Sequence, residues 1–198
     1  MSERTEAKIT RYKNIEFRSR TEARWAVFFD GLGINYEYEK ELLKLSDGKR
    51  YLPDFFLPQF NAYLEVKPNS DSIVTEESIK SRQLAHDLGK TSTKVWLATG
   101  GPTELNGNII PLSDWDKSDD IRHILSVQEN RYIFYQDRRD EGLYWLHAVD
   151  CDGSMRKTFL VGGWGTETDH SREPLMFGLV EQSYLKARSY NFDQGFQS

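Results

Sequence analysis

The stretch Asn61-Ala62-Tyr63-Leu64-Glu65-Val66-Lys67-Pro68 decides how this chain is read. Side chains of a β-strand alternate between faces, so Ala62, Leu64 and Val66 share one side and Tyr63, Glu65 and Lys67 the other. The first side is apolar throughout and marks a core. The second sets a carboxylate beside an ammonium, which a solvated strand face also does when it forms a cross-strand ion pair. The residues on either side of the strand bear on that choice.

Upstream, RYLPDFFL (residues 50–57) is a second extended run, confined by Pro53 and Pro58 and therefore short or close to a sheet edge, where a missing amide donor is tolerated. The turn Ser46-Asp47-Gly48-Lys49 joins it to INYEYEKELLKL (34–45), in which Ile34, Tyr36 and Tyr38 alternate with polar residues. A hairpin is the simplest joint. Further upstream, Arg18 to Leu32 reads as a helix with Ser19 as N-cap, Glu22 in the capping-box position, a broad apolar face including Trp25, Phe28 and Phe29, and Gly31 and Gly33 at its end. Downstream, the spacing of Ile79, Leu84, Ala85 and Leu88 predicts a helix from Thr75 to Leu88, closed by Gly89. Lys94 to Ala98 is a buried-type strand that ends at Gly100-Gly101-Pro102. The resulting order of helix, three strands, helix and strand predicts a mixed α/β core.

Beyond residue 102 the texture changes. Short strands are predicted at RYIFYQ, LYWLHAV and MRKTFLVGG, with turns at DRRDEG and at Cys151-Asp152-Gly153-Ser154, forming a small antiparallel sheet. A last helix from about Pro174 to Tyr190 carries Leu175, Leu179, Tyr184, Leu185 and Ala187 and is expected to pack back on the core. The chain therefore divides into a core (1–102), a β-rich insertion (103–172) and a C-terminal helix (173–198).

Bulk properties narrow the function classes. The 198 residues suit one domain with an elaboration, and 13% aromatic residues supply ample material for a core. Cys151 is the only cysteine, which excludes an intrachain disulfide and a multi-thiolate zinc site and points to a reducing cytoplasm. No apolar run approaches the length of a membrane span, and the polar N-terminus has no signal-peptide pattern. The net charge of −5 argues against general nucleic-acid binding. Its distribution softens that argument, because residues 1–100 carry 16 basic against 15 acidic side chains and residues 101–198 carry 10 against 16.

The chemistry lies in Pro53-Asp54, then ten residues, then Glu65-Val66-Lys67. On neighbouring strands Asp54 and Glu65 converge, and paired carboxylates coordinate hard cations such as Mg²⁺. Attack on a phosphodiester needs an oriented water and positive charge facing the developing negative charge, both of which Lys67 supplies beside such an ion. Glu22, on the preceding helix, adds a carboxylate or orients water. The competing reading keeps Asp54 as a turn-shaping residue after Pro53 and Glu65 with Lys67 as a surface pair.

The stretches FRSRTEARWAVFFDGLGINYEYE (17–39) and YLPDFFLPQFNAYLEVKP (51–68) resemble the core of the PD-(D/E)xK nuclease superfamily, and more narrowly its small phage and bacterial members, in which a helix of the form RSRTEARWA precedes the PDF and LEVK strands. The resemblance covers about residues 15 to 100 closely, extends to the ending LVEQSYLKARSYNFDQG, and is loose in between. It implies a restriction-endonuclease-like α/β fold and a Mg²⁺-dependent (or Mn²⁺-dependent) phosphodiesterase acting on DNA, with Asp54 and Glu65 as metal ligands, Lys67 as catalytic lysine and Glu22 as helix carboxylate. It also implies a bacterial or phage-infected cytoplasm, and a homodimer if two strands are cut symmetrically.

Secondary candidates for substrate contact are Arg18 and Arg20 at the helix start, where anions are already favoured, and Lys80 with Gln83 on one face of the second helix. His86, His123, His147 and His170 lack metal-ligand spacing, VGGWG (161–165) does not match a phosphate-binding loop, and Trp115, Trp145 and Trp164 are expected to pack. The rival from another class is a non-catalytic factor that binds DNA or a host protein on a nuclease scaffold. The acidic second half fits it, whereas an intact carboxylate cluster, which repels phosphate unless metal is present, does not.

Overall fold

The computed structural model describes residues 8–68, 74–89, 91–103, 108–114, 120–126, 132–137, 144–149, 155–161, 174–175 and 178–193. Within them the elements run β1 (Thr10–Tyr12), β2 (Ile15–Phe17), α1 (Arg20–Leu32), β3 (Glu37–Tyr38), β4 (Leu43–Lys44), β5 (Arg50–Tyr51), β6 (Phe55–Leu57), β7 (Ala62–Lys67), α2 (Glu76–Leu88), β8 (Lys94–Thr99), β9 (Ile109–Pro111), α3 (Ile121–Ser126), β10 (Tyr132–Asp137), β11 (Tyr144–Val149), β12 (Met155–Val161), β13 (Pro174–Leu175) and α4 (Leu179–Ser189).

The architecture is mixed α/β. One sheet runs in the order β12-β11-β10-β9-β8-β7-β6-β3, with β13 paired to β10. Its pairs are antiparallel except β7 with β8, which are parallel from Ala62 opposite Lys94 to Lys67 opposite Thr99. A parallel pair needs a crossover, and α2 is the helix between them.

The alternation of β7 sorts its side chains as the sequence predicts. Ala62, Leu64 and Val66 join Trp96 and Ala98 in a core with Trp25, Phe28 and Phe29 of α1 and Tyr184 of α4. Tyr63 joins Val95 and Leu97 in a second core with Leu84 and Ala85 of α2 and Ile121 and Ile124 of α3. Helices therefore cover both faces, and every residue of β7 is buried. Glu65 and Lys67 are consequently not a solvated surface pair.

Local signals account for most boundaries. Ser19 caps α1, its hydroxyl accepting from the Glu22 amide at 3.2 Å, and Gly33 closes the helix at φ 68°, in the left-handed region that favours glycine. Thr75 caps α2 in a reciprocal box with Ser78, and Gly89 ends it. Ile79, counted among the apolar positions of that helix, is 42% exposed. The 34–45 segment yields only the two-residue strands β3 and β4, because Glu39 takes a positive φ that breaks the extended run. β4 and β5 form the expected hairpin around residues 46–49, whereas β6 leaves it to pair with β3 and β7.

The strands of the second half are antiparallel to one another but do not form a sheet of their own. Tyr132 pairs with Ile109, and Ile109, Ile110 and Pro111 pair with β8, so the division at residue 102 is not a break in the sheet. Ile109, Ile110, Leu112, Tyr132, Ile133 and Phe134 are all buried. Pro174–Leu175, expected at the head of the last helix, is instead a bridge to β10, and α4 begins at Leu179. That helix lies on α1, with the Phe28 and Tyr184 rings 4.4 Å apart. The turns expected at 138–142 and 151–154, and the stretch 162–165, lie outside the described residues.

Candidate active site

Four charged side chains are gathered where β6, β7 and the start of α1 meet. Glu22 is 6% exposed, Asp54 8%, Glu65 2% and Lys67 8%. Glu65 and Lys67 leave the same face of β7, and the Lys67 Nζ donates to Glu65 Oε1 at 2.6 Å. Asp54 precedes β6, which pairs with β7, and its Oδ2 accepts from the Val66 amide at 2.7 Å, fixing the carboxylate across the strand end. Glu22 reaches the group from α1, held by Ser19 Oγ at 2.6 Å on one oxygen and by the Tyr38 hydroxyl at 2.6 Å on the other.

The electrostatics report the closeness of these groups. Burial, then the neighbouring Glu65 and Glu22 carboxylates, push the Asp54 carboxyl well above the usual range, against the Val66 amide and Lys67, which act the other way. Glu65 is also raised, chiefly by burial, with the Lys67 ammonium and the Tyr51 hydroxyl opposing the shift. Tyr51 donates to Glu65 Oε2 at 2.7 Å, so both oxygens of Glu65 have a donor. Burial followed by the Glu65 charge raises the Tyr51 hydroxyl far above its ordinary value and keeps it a donor.

Three buried carboxylates thus share one ammonium. Ionised, the cluster carries an uncompensated charge of −2 in a low-dielectric setting, the state a divalent cation relieves. Among the described residues no three His, Cys, Asp or Glu side chains stand as a ready-made metal cluster. Mg²⁺ does not require one, because it keeps several waters and takes one or two carboxylates. Asp54 and Glu65 fit that donor set, and Glu22, already engaged by two hydroxyls, fits the role of a carboxylate that orients water beside it.

Sequence reading missed three partners. Tyr51 and Tyr38 carry no local pattern that points to Glu65 or Glu22, since the contacts depend on how separate elements pack. Glu77 of α2 lies with Oε2 3.9 Å from Lys67 Nζ and adds a second carboxylate to the lysine. The side chains of the four secondary candidates have partners of their own. Arg18 pairs with Glu39 at 2.6 Å, Arg20 with Asp193 at 3.0 Å, Lys80 with Glu76 at 2.8 Å, and Gln83 binds Ser46 and Asp87. Among the histidines, His86 and His123 are exposed.

The cluster lies at the carboxyl end of β7, beside the parallel strand β8, and sites in α/β sheets favour such ends. There the backbone is tied down: Gly100 N donates to Lys67 O at 2.6 Å, and the Trp25 indole donates to Gly100 O at 2.9 Å. Comparison of the chain with protein-family models, with curated proteins and with solved structures gave no match. No helix among the described residues is long and apolar enough to cross a membrane.

Proposed function

We propose that this chain is a Mg²⁺- or Mn²⁺-dependent nuclease of the PD-(D/E)xK type, with a restriction-endonuclease-like core, that hydrolyses phosphodiester bonds in DNA. The observation that carries the reading is the burial of Glu22, Asp54, Glu65 and Lys67 together at one strand end, with three carboxylates to one ammonium. A purely structural ion pair has no use for the two extra acids, which cost free energy in such a place unless a cation offsets them.

In hydrolysis a water oxygen adds to phosphorus, one P–O ester bond breaks, one water proton passes to a base, and the departing alkoxide takes up a proton. When bound, the metal supplies Lewis acidity toward the phosphate and lowers the pKa of a water. The chain's own residues do the rest. Lys67, fixed by Glu65, holds an ammonium toward the charge that grows on the phosphate oxygens and positions the attacking water. Glu22, fixed by Ser19 and Tyr38, orients that water from the α1 side. Tyr51 keeps Glu65 in one rotamer.

The deciding experiment incubates the protein with supercoiled, linear, single-stranded and branched DNA in Mg²⁺, Mn²⁺ or EDTA. Cleavage is expected with metal and absent in EDTA, with Glu65→Ala and Asp54→Ala inactive and Lys67→Ala reduced by about 10²–10³-fold in kcat. Wild-type protein that cuts nothing with any metal, or Glu65→Ala that cuts as well as wild type, overturns the enzymatic reading in favour of a binding factor. The oligomeric state in the same buffers distinguishes symmetric two-strand cutting by a homodimer from action as a single copy.

A further inference from the structure

Arg24 sits on α1 two residues after Glu22, and among the described residues it has neither a hydrogen bond nor an ion pair. Its Nε is buried without an acceptor. A guanidinium offers five donors in a planar fork and is costly to bury unmatched, so an arginine held this way is prepared for an acceptor that arrives from outside. Two nearby arginines differ: Arg18, just before α1, and Arg20, at its start, are already paired with Glu39 and Asp193.

The surface beside Arg24 is unusual in a second, independent respect. Its Cδ lies 3.7 Å from where a Cβ would stand on Gly101, so the side chain runs along the Gly100-Gly101 turn. Gly100 has φ 81°, a conformation side-chain-bearing residues rarely adopt, and is clamped between Lys67 O and the Trp25 indole. Two consecutive residues without side chains leave bare, fixed backbone next to an unmatched guanidinium, directly after the strand paired with the one bearing Glu65 and Lys67. The geometry is open to a compact anion with two coplanar oxygens, which an arginine fork grips bidentately.

We propose that Arg24, lying along the side-chain-free Gly100-Gly101 turn, holds a phosphate of the nucleic-acid backbone adjoining the one that is cut. This assignment rests on reading the acidic cluster as a nuclease centre and adds to it a residue that sets the register of the strand. It also answers how a protein of net charge −5 engages a polyanion: by a guanidinium that no carboxylate among the described residues has claimed.

The test measures binding of a duplex DNA of about 20 base pairs in Ca²⁺ across a salt series, alongside cleavage in Mg²⁺, for wild type, Arg24→Gln and Arg24→Lys. Arg24→Gln is expected to raise Kd about 5–10-fold and to make the slope of log K against log salt less negative by about 0.9, the loss of one phosphate contact. Arg24→Lys is expected to restore the slope, because the charge returns, while recovering only part of the affinity, because the fork does not. A merely structural role moves neither slope in this pattern. If wild type cuts DNA and Arg24→Gln matches it in Kd and slope, the subsite is overturned while the nuclease reading stands. If wild type cuts nothing yet the slopes change as stated, the phosphate contact stands and the nuclease reading falls. Should Arg24→Gln fail to fold, Arg24→Lys alone decides: a several-fold weaker Kd at unchanged slope supports the fork, and an unchanged Kd removes it.

Discussion

At Asp54 a carboxyl raised in the folded protein makes a definite demand on pH. The protonated form is favoured in the fold, so the stability this group contributes is present below its unfolded value of about 3.9 and is lost as pH rises through the raised folded-state value. Glu65 acts in the same direction. Asp47, Asp87 and Asp193 are lowered by their hydrogen-bond partners and act oppositely, their contribution disappearing only as pH falls through the acid range. Without metal, Asp54→Asn is therefore expected to be more stable than wild type at pH 8, by the order of 1–2 kcal/mol or about 2–8 °C, with the gap closing as pH falls toward 4. Thermal melts of both proteins across that range in EDTA check it, and a gap that widens on acidification refutes it. Because metal must displace a proton from the same carboxyl, Mn²⁺ affinity is expected to rise with pH, which titration calorimetry in buffers of different ionisation enthalpy reads directly.

Among the elements, α1 and α4 meet closely enough that one atom decides their spacing. A Cβ on Gly31 would fall 2.6 Å from Ser183 Oγ and 3.0 Å from Ser183 Cβ, and the Ser183 hydroxyl is already engaged by Leu179 O at 2.7 Å. Alanine is the better helix former by about 1 kcal/mol, yet Gly31→Ala is expected to lower stability by about 1–3 kcal/mol, because the helices must move apart. Ser183→Gly in the same chain is expected to recover part of the loss, and denaturant melts of the three proteins measure it. In the sequence Gly31 reads as a helix terminator, whereas its role is set by Ser183, a neighbour far along the chain. Elements fixed by near neighbours were legible. Ser19, Gly33 and Gly89 mark helix ends through their own backbone geometry, and the alternation over 62–67 sorts side chains between two cores without outside help. The pairing of Asp54 with the Val66 amide was half legible, since adjacent strands brought them near but the bond itself was not foreseen. The β1–β2 hairpin was not legible, because it turns on Lys13 and Asn14 at positive φ, where no glycine announces the turn. Nor was the bridge at Pro174, which depends on β10 offering an edge.

For the molecule as a whole, continuity of the sheet past residue 102 has consequences for how the chain can be divided. Val180, Tyr184 and Ala187 of α4 share the core of α1 and β7, and the Tyr184 hydroxyl bonds both Phe134 N at 2.9 Å and Phe134 O at 3.2 Å. A fragment of residues 1–102 is expected not to fold, and loss of dispersed amide signals in its NMR spectrum checks this. The 198-residue chain is expected to gain about 2.7 kcal/mol from Mn²⁺ at a hundred times its Kd, and the gain should vanish in Glu65→Ala. Equal metal stabilisation of both proteins would locate the ion elsewhere.

The parallel pairing of β7 with β8 also orders events in time. Antiparallel neighbours such as β6 with β7 need only a tight connection, whereas the parallel partner is reached through the longer crossover that contains α2, and we expect α2 to form before that pairing registers. Since Lys67 O reaches Gly100 N only in that register, refolding chains should regain helical ellipticity before they regain either metal affinity or cleavage, and the interval between the two signals is the assembly time of the centre itself.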